Sequence, residues 1–333
     1  MRINQLLVVF VLIAFMACEN GPKKSSPAKK KPEVAKKPSI ERPAFNSDSA
    51  FHFIERQVAF GPRVPNTEAH QKTAAYLSSK LEQYGLQVFQ QKAVVRAFDN
   101  TKLNIINIIG EYRPELNNRI LLFAHWDTRP FADMDDQDRN RPIDGANDGG
   151  SGVGILIEVA RQLQALQTDI GVDIIFFDAE DYGQPSDDMR RRKAGTWCLG
   201  SQYWAKNPHK ENYQANFGIL LDMVGASNAK FSRESISMYY APHIVDKVWS
   251  TAAALGHGNH FDFQQTTHVG EDDHLYINKI ARIPSIDIIQ YDAATGAFAP
   301  HWHTHDDNLS VIDKQTLAAV GETVLAVVLK EAK

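Results

Sequence analysis

The sequence predicts an α/β fold: a three-layer sandwich with a central mixed, mostly parallel twisted sheet flanked by helices on both faces. Three observations carry this. Short, continuous apolar runs recur along the chain, as strands buried on both faces should. Segments of helical period separate them. Polar residues able to do chemistry fall where the apolar runs end, the usual place for a site in an open α/β sheet.

Two helical stretches open the domain. Asp48 to Phe60 stops at Gly61-Pro62, and Thr67 to Tyr84 follows Asn66, a good N-cap residue, and stops at Gly85. Three β-rich runs come next, at 87–95, 103–110 and 119–124. The first of these read as a hairpin, hence a mixed sheet. Later strands are expected at 172–177, 218–223 and 285–289, and helices at 152–166, 200–206, 244–255, 272–279 and 313–330.

The 333 residues are 43% hydrophobic, enough for one large globular domain, expected over 44–333. The formal net charge of −4 hides an asymmetry: residues 1–43 carry a net of +6, which leaves −10 on the remainder. An acidic domain argues against nucleic acid as partner. At the N-terminus, Arg2 precedes an apolar run from Leu6 to Met16, of signal-peptide length. Residues 1–18 therefore read as a signal peptide. Ala17-Cys18 resembles a bacterial lipoprotein cleavage site, so Cys18 is expected to carry a lipid anchor to the membrane, in an exported, periplasmic protein. Residues 19–43, rich in Lys, Pro and Ser, read as an extended tether. Cys198 is the one other cysteine, and it reads as a packed thiol.

The polar strand ends are specific. Leu121 to Ala124 runs into His125-Trp126-Asp127, Ile174 to Phe177 into Asp178-Ala179-Glu180-Asp181, and Ile219 to Leu221 into Asp222. A Gly-rich loop, 143–154, carries Asp148 at its centre, and Trp302-His303-Thr304 follows the last strand. One acid after a strand is commonplace as a cap or turn; five such places are not explained by capping. Carboxylates with an imidazole suit zinc, and a catalytic zinc keeps three protein ligands and an open position. The pair Glu180-Asp181 offers one ligand and one free carboxylate able to carry protons. The loop lacks the Gly-Lys-Ser/Thr ending of a P-loop, so its glycines bend backbone rather than cradle phosphate. Asp133 to Asp138 reads as a solvated loop, and Trp126, Trp204 and Trp249 as core.

The ordered set His125-x-Asp127, Asp148, Glu180-Asp181, Asp222 and His303 resembles the zinc aminopeptidase family with a co-catalytic metal pair. Within it, three segments resemble the glutaminyl-peptide cyclotransferases: Trp302-His303-Thr304-x-Asp306-Asp307-Asn308, Glu271-Asp272-Asp273-His274 and Leu221 to Ala226. The resemblance implies Asp148, Asp181 and His303 as ligands of one zinc and Glu180 as proton carrier. It implies Asp222 and Asp272 as catalytic carboxylates sharing a hydrogen bond, and Trp302, Trp197 and Phe298 as pocket walls. The spacing to Asp306-Asp307-Asn308 favours His303 as ligand over its neighbours His301 and His305. Animal cyclases have Glu-Glu where this chain has the shorter Glu180-Asp181. The implied reaction converts N-terminal Gln of peptides and proteins to pyroglutamate with release of ammonia, in a monomeric enzyme. The alternative is a di-zinc aminopeptidase with His125 and Asp222 on a second zinc. A non-enzymatic binding lipoprotein is disfavoured by the intact ligand set.

Overall fold

The computed structural model describes residues 43–332 apart from 167, 192, 267 and 268. The predicted signal peptide, Cys18 and most of the tether lie outside the described residues. The described residues form one compact unit. No described helix is long and apolar enough to cross a membrane.

The chain order is α1 (Ser47–Val58), α2 (Glu68–Gln83), β1 (Gln87–Arg96), β2 (Lys102–Tyr112), β3 (Arg119–His125), α3 (Gly150–Leu166), β4 (Gly171–Phe177), α4 (Leu199–Lys206), β5 (Gly218–Asp222), β6 (Phe231–Arg233), α5 (Ser235–Tyr240), α6 (Pro242–Leu255), β7 (Phe261–Gln265), α7 (Asp273–Tyr276), β8 (Ser285–Ile289) and α8 (Lys314–Glu331). Six strands form one sheet in the order β1-β2-β4-β3-β5-β8. β4, β3, β5 and β8 are mutually parallel. β1 and β2 pair antiparallel with each other, and β2 antiparallel with β4. The sheet is thus mixed and mostly parallel, as expected.

Residue parity sorts the core. Ile120, Leu122 and Ala124 on β3, with Ile174 and Phe176 on β4, pack toward α1, α2, α3, α6 and α8. Leu121, Phe123, Ile175 and Phe177 point the other way, toward Trp204 of α4 and Ile277. Successive strand side chains face opposite sides, so a run that is apolar throughout must be covered twice. This is the physical origin of the three layers.

Three local expectations are corrected. Asn66 is not the α2 N-cap: Thr67 is, accepting from His70 N. Asn66, at φ +76, instead joins the loop to β2 by donating to the Lys102 carbonyl and accepting from Asn104 N. The helix expected over 272–279 is one short turn, α7, continued by a π-helical turn over Ile277–Ala281. There the Asn278 amide bridges the carbonyls of His274 and Ser285. Finally, a small parallel sheet of β6 and β7, with α5, was not anticipated, because three to five residues give too little periodicity.

Gly152 shows how closely α3 seats on the sheet. A Cβ there would lie 2.1 Å from the Leu221 carbonyl oxygen. Gly152→Ala is therefore expected to destabilise the domain by about 3 kcal/mol, by overpacking against backbone that cannot yield. Urea unfolding measures it, and an unchanged midpoint contradicts the close approach.

Candidate metal centre and substrate cavity

Parallel strands deliver their C-terminal ends to one edge, and the polar residues collect there. His125 ends β3, Asp222 ends β5, and Glu180 and Asp181 follow β4 within four residues. The Asp127 carboxylate accepts from the backbone N–H groups of Glu180 (3.0 Å) and Asp181 (3.2 Å) and so pins both acids. The Asp307 carboxylate does the same for the Gly-rich loop, accepting from Asn147 N (2.8 Å) and Asp148 N (3.0 Å). Ala179, Met223 and His303 have φ near +50°, a costly conformation for side-chain-bearing residues that gathers at functional sites.

Asp148, Asp181 and His303 come together. Their ligand atoms lie within 4.8 Å of one another, and all three residues are buried. His303 Nε2 stands 3.3 Å from Asp181 Oδ1 and 3.8 Å from Asp148 Oδ2. Neither oxygen of the buried Asp181 has a hydrogen-bond partner among the described residues. Two carboxylates and an imidazole held together, with both oxygens of one carboxylate left unpartnered, fit a zinc ion, which satisfies such oxygens directly. A second group shares Asp148: His125 Nε2 is 2.9 Å from Asp148 Oδ1 and 3.3 Å from Asp222 Oδ1. His301 and His305 are engaged elsewhere, with Asn147 and Asp135.

Electrostatics mark the same place. Burial lowers the affinity of His125 for a proton, but Asp127, Asp148 and Asp222 outweigh burial and raise it. Burial, then Asp181 and Asp272, hold Glu180 well above the usual carboxylate range, against His125. Burial pushes Asp222 up to about 7, with His125 opposing. Strong perturbation in a concave site is what proton-transfer chemistry requires.

A cavity of about 490 Å³ opens onto this cluster, and all nine site residues named from the sequence line it, Trp197, Phe298 and Trp302 included. Trp302 stacks on His303 at 3.7 Å between ring centres, and Phe298 leans on Trp302 at 4.5 Å. Trp197 lies parallel to the His303 ring at 5.9 Å. Asp222 and Asp272 both face the cavity. Asp272 lies close to a further buried acid, Asp287 of β8, neither of whose oxygens has a hydrogen-bond partner among the described residues.

Four contributors escaped the sequence reading. Asp133, placed there in a solvated loop, is buried, and its Oδ1 is 3.3 Å from His303 Nδ1; this corrects the expectation for that residue. Arg129, also buried, grips Asp133 through two nitrogens, donates to the Asp181 carbonyl, and lies 4.6 Å over the Trp197 ring. A carboxylate on the far nitrogen of a ligating histidine fixes its ring and tautomer. Asp133→Asn is accordingly expected to weaken zinc binding about 10- to 100-fold, read by competition with a chromogenic chelator. The third is Asp287, whose signal was available: an acid inside the apolar strand Ser285–Ile289 must have a buried task. The fourth is Asp307, singled out before only as part of a motif.

Residues 107–328 match the profile of Peptidase family M28. The chain belongs to this family. Among solved structures, this M28 chain is similar to Tannerella forsythia glutaminyl cyclase, with 55% identity and TM-score 0.84 over 86% of this chain and 99% of that one. It is equally similar to a Zn-dependent exopeptidase from Parabacteroides distasonis, with 52% identity and TM-score 0.84 over 86% and 99%. Aminopeptidase YwaD of Bacillus subtilis is 28% identical over 277 residues; the match takes in 82% of this chain but only 54% of YwaD. The expected zinc-enzyme fold and the likeness to glutaminyl cyclases both stand.

Proposed function

We infer that this M28 chain is a zinc-dependent glutaminyl-peptide cyclotransferase, converting N-terminal Gln of peptides and proteins to pyroglutamate and ammonia. The observation that carries this is 55% identity to a glutaminyl cyclase across 99% of its length, with every named cavity residue in one place. Asp148, Asp181 and His303 would hold one zinc, which would supply a Lewis acid to polarise the side-chain carbonyl of Gln.

The chain's own residues do the rest. In the reaction the α-amine bonds to the side-chain amide carbon, closing a five-membered lactam, and the amide C–N bond breaks. The amine loses one proton and the leaving nitrogen gains one. Glu180 faces the cavity beside the ligand trio and outside it, so it takes the first proton and delivers it to the leaving nitrogen, ending as it began. Asp222 and Asp272 line the same cavity and hold the departing nitrogen. Trp197, Phe298 and Trp302 orient the Gln side chain and exclude bulk water, which favours cyclisation over hydrolysis.

A second reading, a di-zinc aminopeptidase, draws on the group of His125, Asp148 and Asp222. A Gln-initiated dipeptide and Leu- or Ala-amides separate the two. Ammonia with a pyroglutamyl product is expected from the first substrate. Release of free Leu or Ala instead sinks the cyclase reading. Metal analysis is expected near one zinc per chain. We further take the enzyme as a monomer that is exported to the periplasm and anchored by lipid on Cys18. The basic residue, apolar run and Ala17-Cys18 step support the anchor. Cys18→Ser is expected to move the enzyme from membrane to soluble fraction.

A further inference from the structure

We propose that Cys198 is a positioning residue for this reaction: its thiol donates the hydrogen bond that holds the Glu180 carboxylate in the orientation proton transfer needs. The proposal rests on the reading of Glu180 as proton carrier.

Cys198 Sγ lies 3.2 Å from Glu180 Oε1, and both residues are buried. Among the described residues the thiol is the one hydrogen-bond donor to that carboxylate. Everything else pinning Glu180 acts on its backbone, through Asp127 and through Cys198 N, which donates to the Glu180 carbonyl at 2.9 Å. Leu199 N donates to the Ala179 carbonyl at 3.0 Å, so the turn before α4 is clasped to the end of β4 by two backbone bonds. The clasp fixes the direction of the Cys198 side chain. A carboxylate on a flexible two-carbon stem has several rotamers, and one donor at its tip selects among them.

The backbone of Cys198 supplies an independent argument. It sits at φ +57, ψ +36, the left-handed region, where any residue with a Cβ is penalised and glycine is not. Packing alone would favour glycine or asparagine there. A cysteine held in that conformation, with its thiol on the carboxylate of the proton carrier, is explained by what the thiol does.

Four forms of the full chain test this with a Gln-initiated dipeptide: native, Cys198→Gly, Cys198→Ala and Cys198→Ser. Steady-state kinetics, melting temperature and zinc content are measured for each. Glycine removes the thiol and relieves the backbone, so Cys198→Gly is expected to melt no lower than the native protein. Its kcat is expected to fall about tenfold, the worth of one hydrogen bond to a charged group, with KM and zinc content unchanged. Cys198→Ala is expected to lose the same kcat. Cys198→Ser, which keeps a donor, is expected to recover most of it. The proposal is overturned if Cys198→Gly and Cys198→Ala keep native kcat, if kcat losses track melting temperature without rescue by serine, or if zinc content falls, which would make the thiol a ligand. Glu180→Gln in the same assay separates the two levels. If that variant stays active, the proton-carrier reading fails and takes this proposal with it. If it is inactive while the Cys198 variants are not, this proposal alone fails.

Discussion

Glu180→Gln is expected to lower kcat for Gln-initiated peptides by about 10²- to 10⁴-fold, the usual worth of a positioned general acid/base. The substitution keeps size, shape and an oxygen for the Cys198 thiol, but an amide cannot take a proton at neutral pH. Glu180 lies outside the cluster of Asp148, Asp181 and His303, so zinc content and KM should hold while kcat collapses. A parallel fall in zinc content would instead make Glu180 part of the metal centre. The cause of its fitness as a carrier is burial. In the metal-free chain, burial, with Asp181 and Asp272 beside it, holds its carboxyl above the ordinary carboxylate range, with His125 opposing. Its place on the cavity wall puts it within reach of both the attacking amine and the departing nitrogen.

Removing zinc should make stability fall steeply with rising pH. Burial raises Asp222 and Asp307 to about 7 and Asp273 to about 8, and it holds Glu180 and Asp287 well above their ordinary values. Unfolded, such groups titrate near pH 4. The folded state therefore binds more protons between roughly pH 4 and pH 8, and stability is lost as pH rises through that window. His125, His274 and His303 are also raised, each against burial by neighbouring acids, so their contribution is likewise lost as pH rises above about 6.5. Asp133 and Asp148 are lowered by His and Arg partners against burial, but their contribution is already complete above about pH 4 and does not oppose the trend. The chelated protein is expected to melt at least about 5 °C lower at pH 8 than at pH 5.5. Added zinc, standing in for the missing protons among these acids, should raise melting more at pH 8 than at pH 5.5. A melting temperature independent of pH in the chelated protein removes the premise that these acids are crowded and buried.

The fold was legible because its strands are written in the plainest signal available. Ile174 to Phe177 and Ile219 to Leu221 are apolar at successive positions, which fits only a strand covered on both faces. The elements that escaped, β6, β7 and the π turn after α7, are short and gain definition from what they pack against rather than from any period. Site residues divided along the same line. Glu180, Asp181 and Asp222 were visible because an acid abruptly ends an apolar run. Asp133 was not, because it sits among other acids in a loop, and nothing in that string says which one turns inward.

By itself, then, the sequence determined the three-layer sandwich and the strand ends at which acids and histidines gather, while resemblance to a known family, not period, pointed to Asp272, Trp197, Phe298 and Trp302. Period and residue type are local properties, and the sandwich and its strand ends are set locally. Only the tertiary structure decided the partners. Asp133 on His303, Arg129 over Trp197 and Cys198 on Glu180 each join positions distant in sequence or spaced without pattern. Such pairs form because a buried polar group must find a partner within reach, and reach is a property of the folded chain.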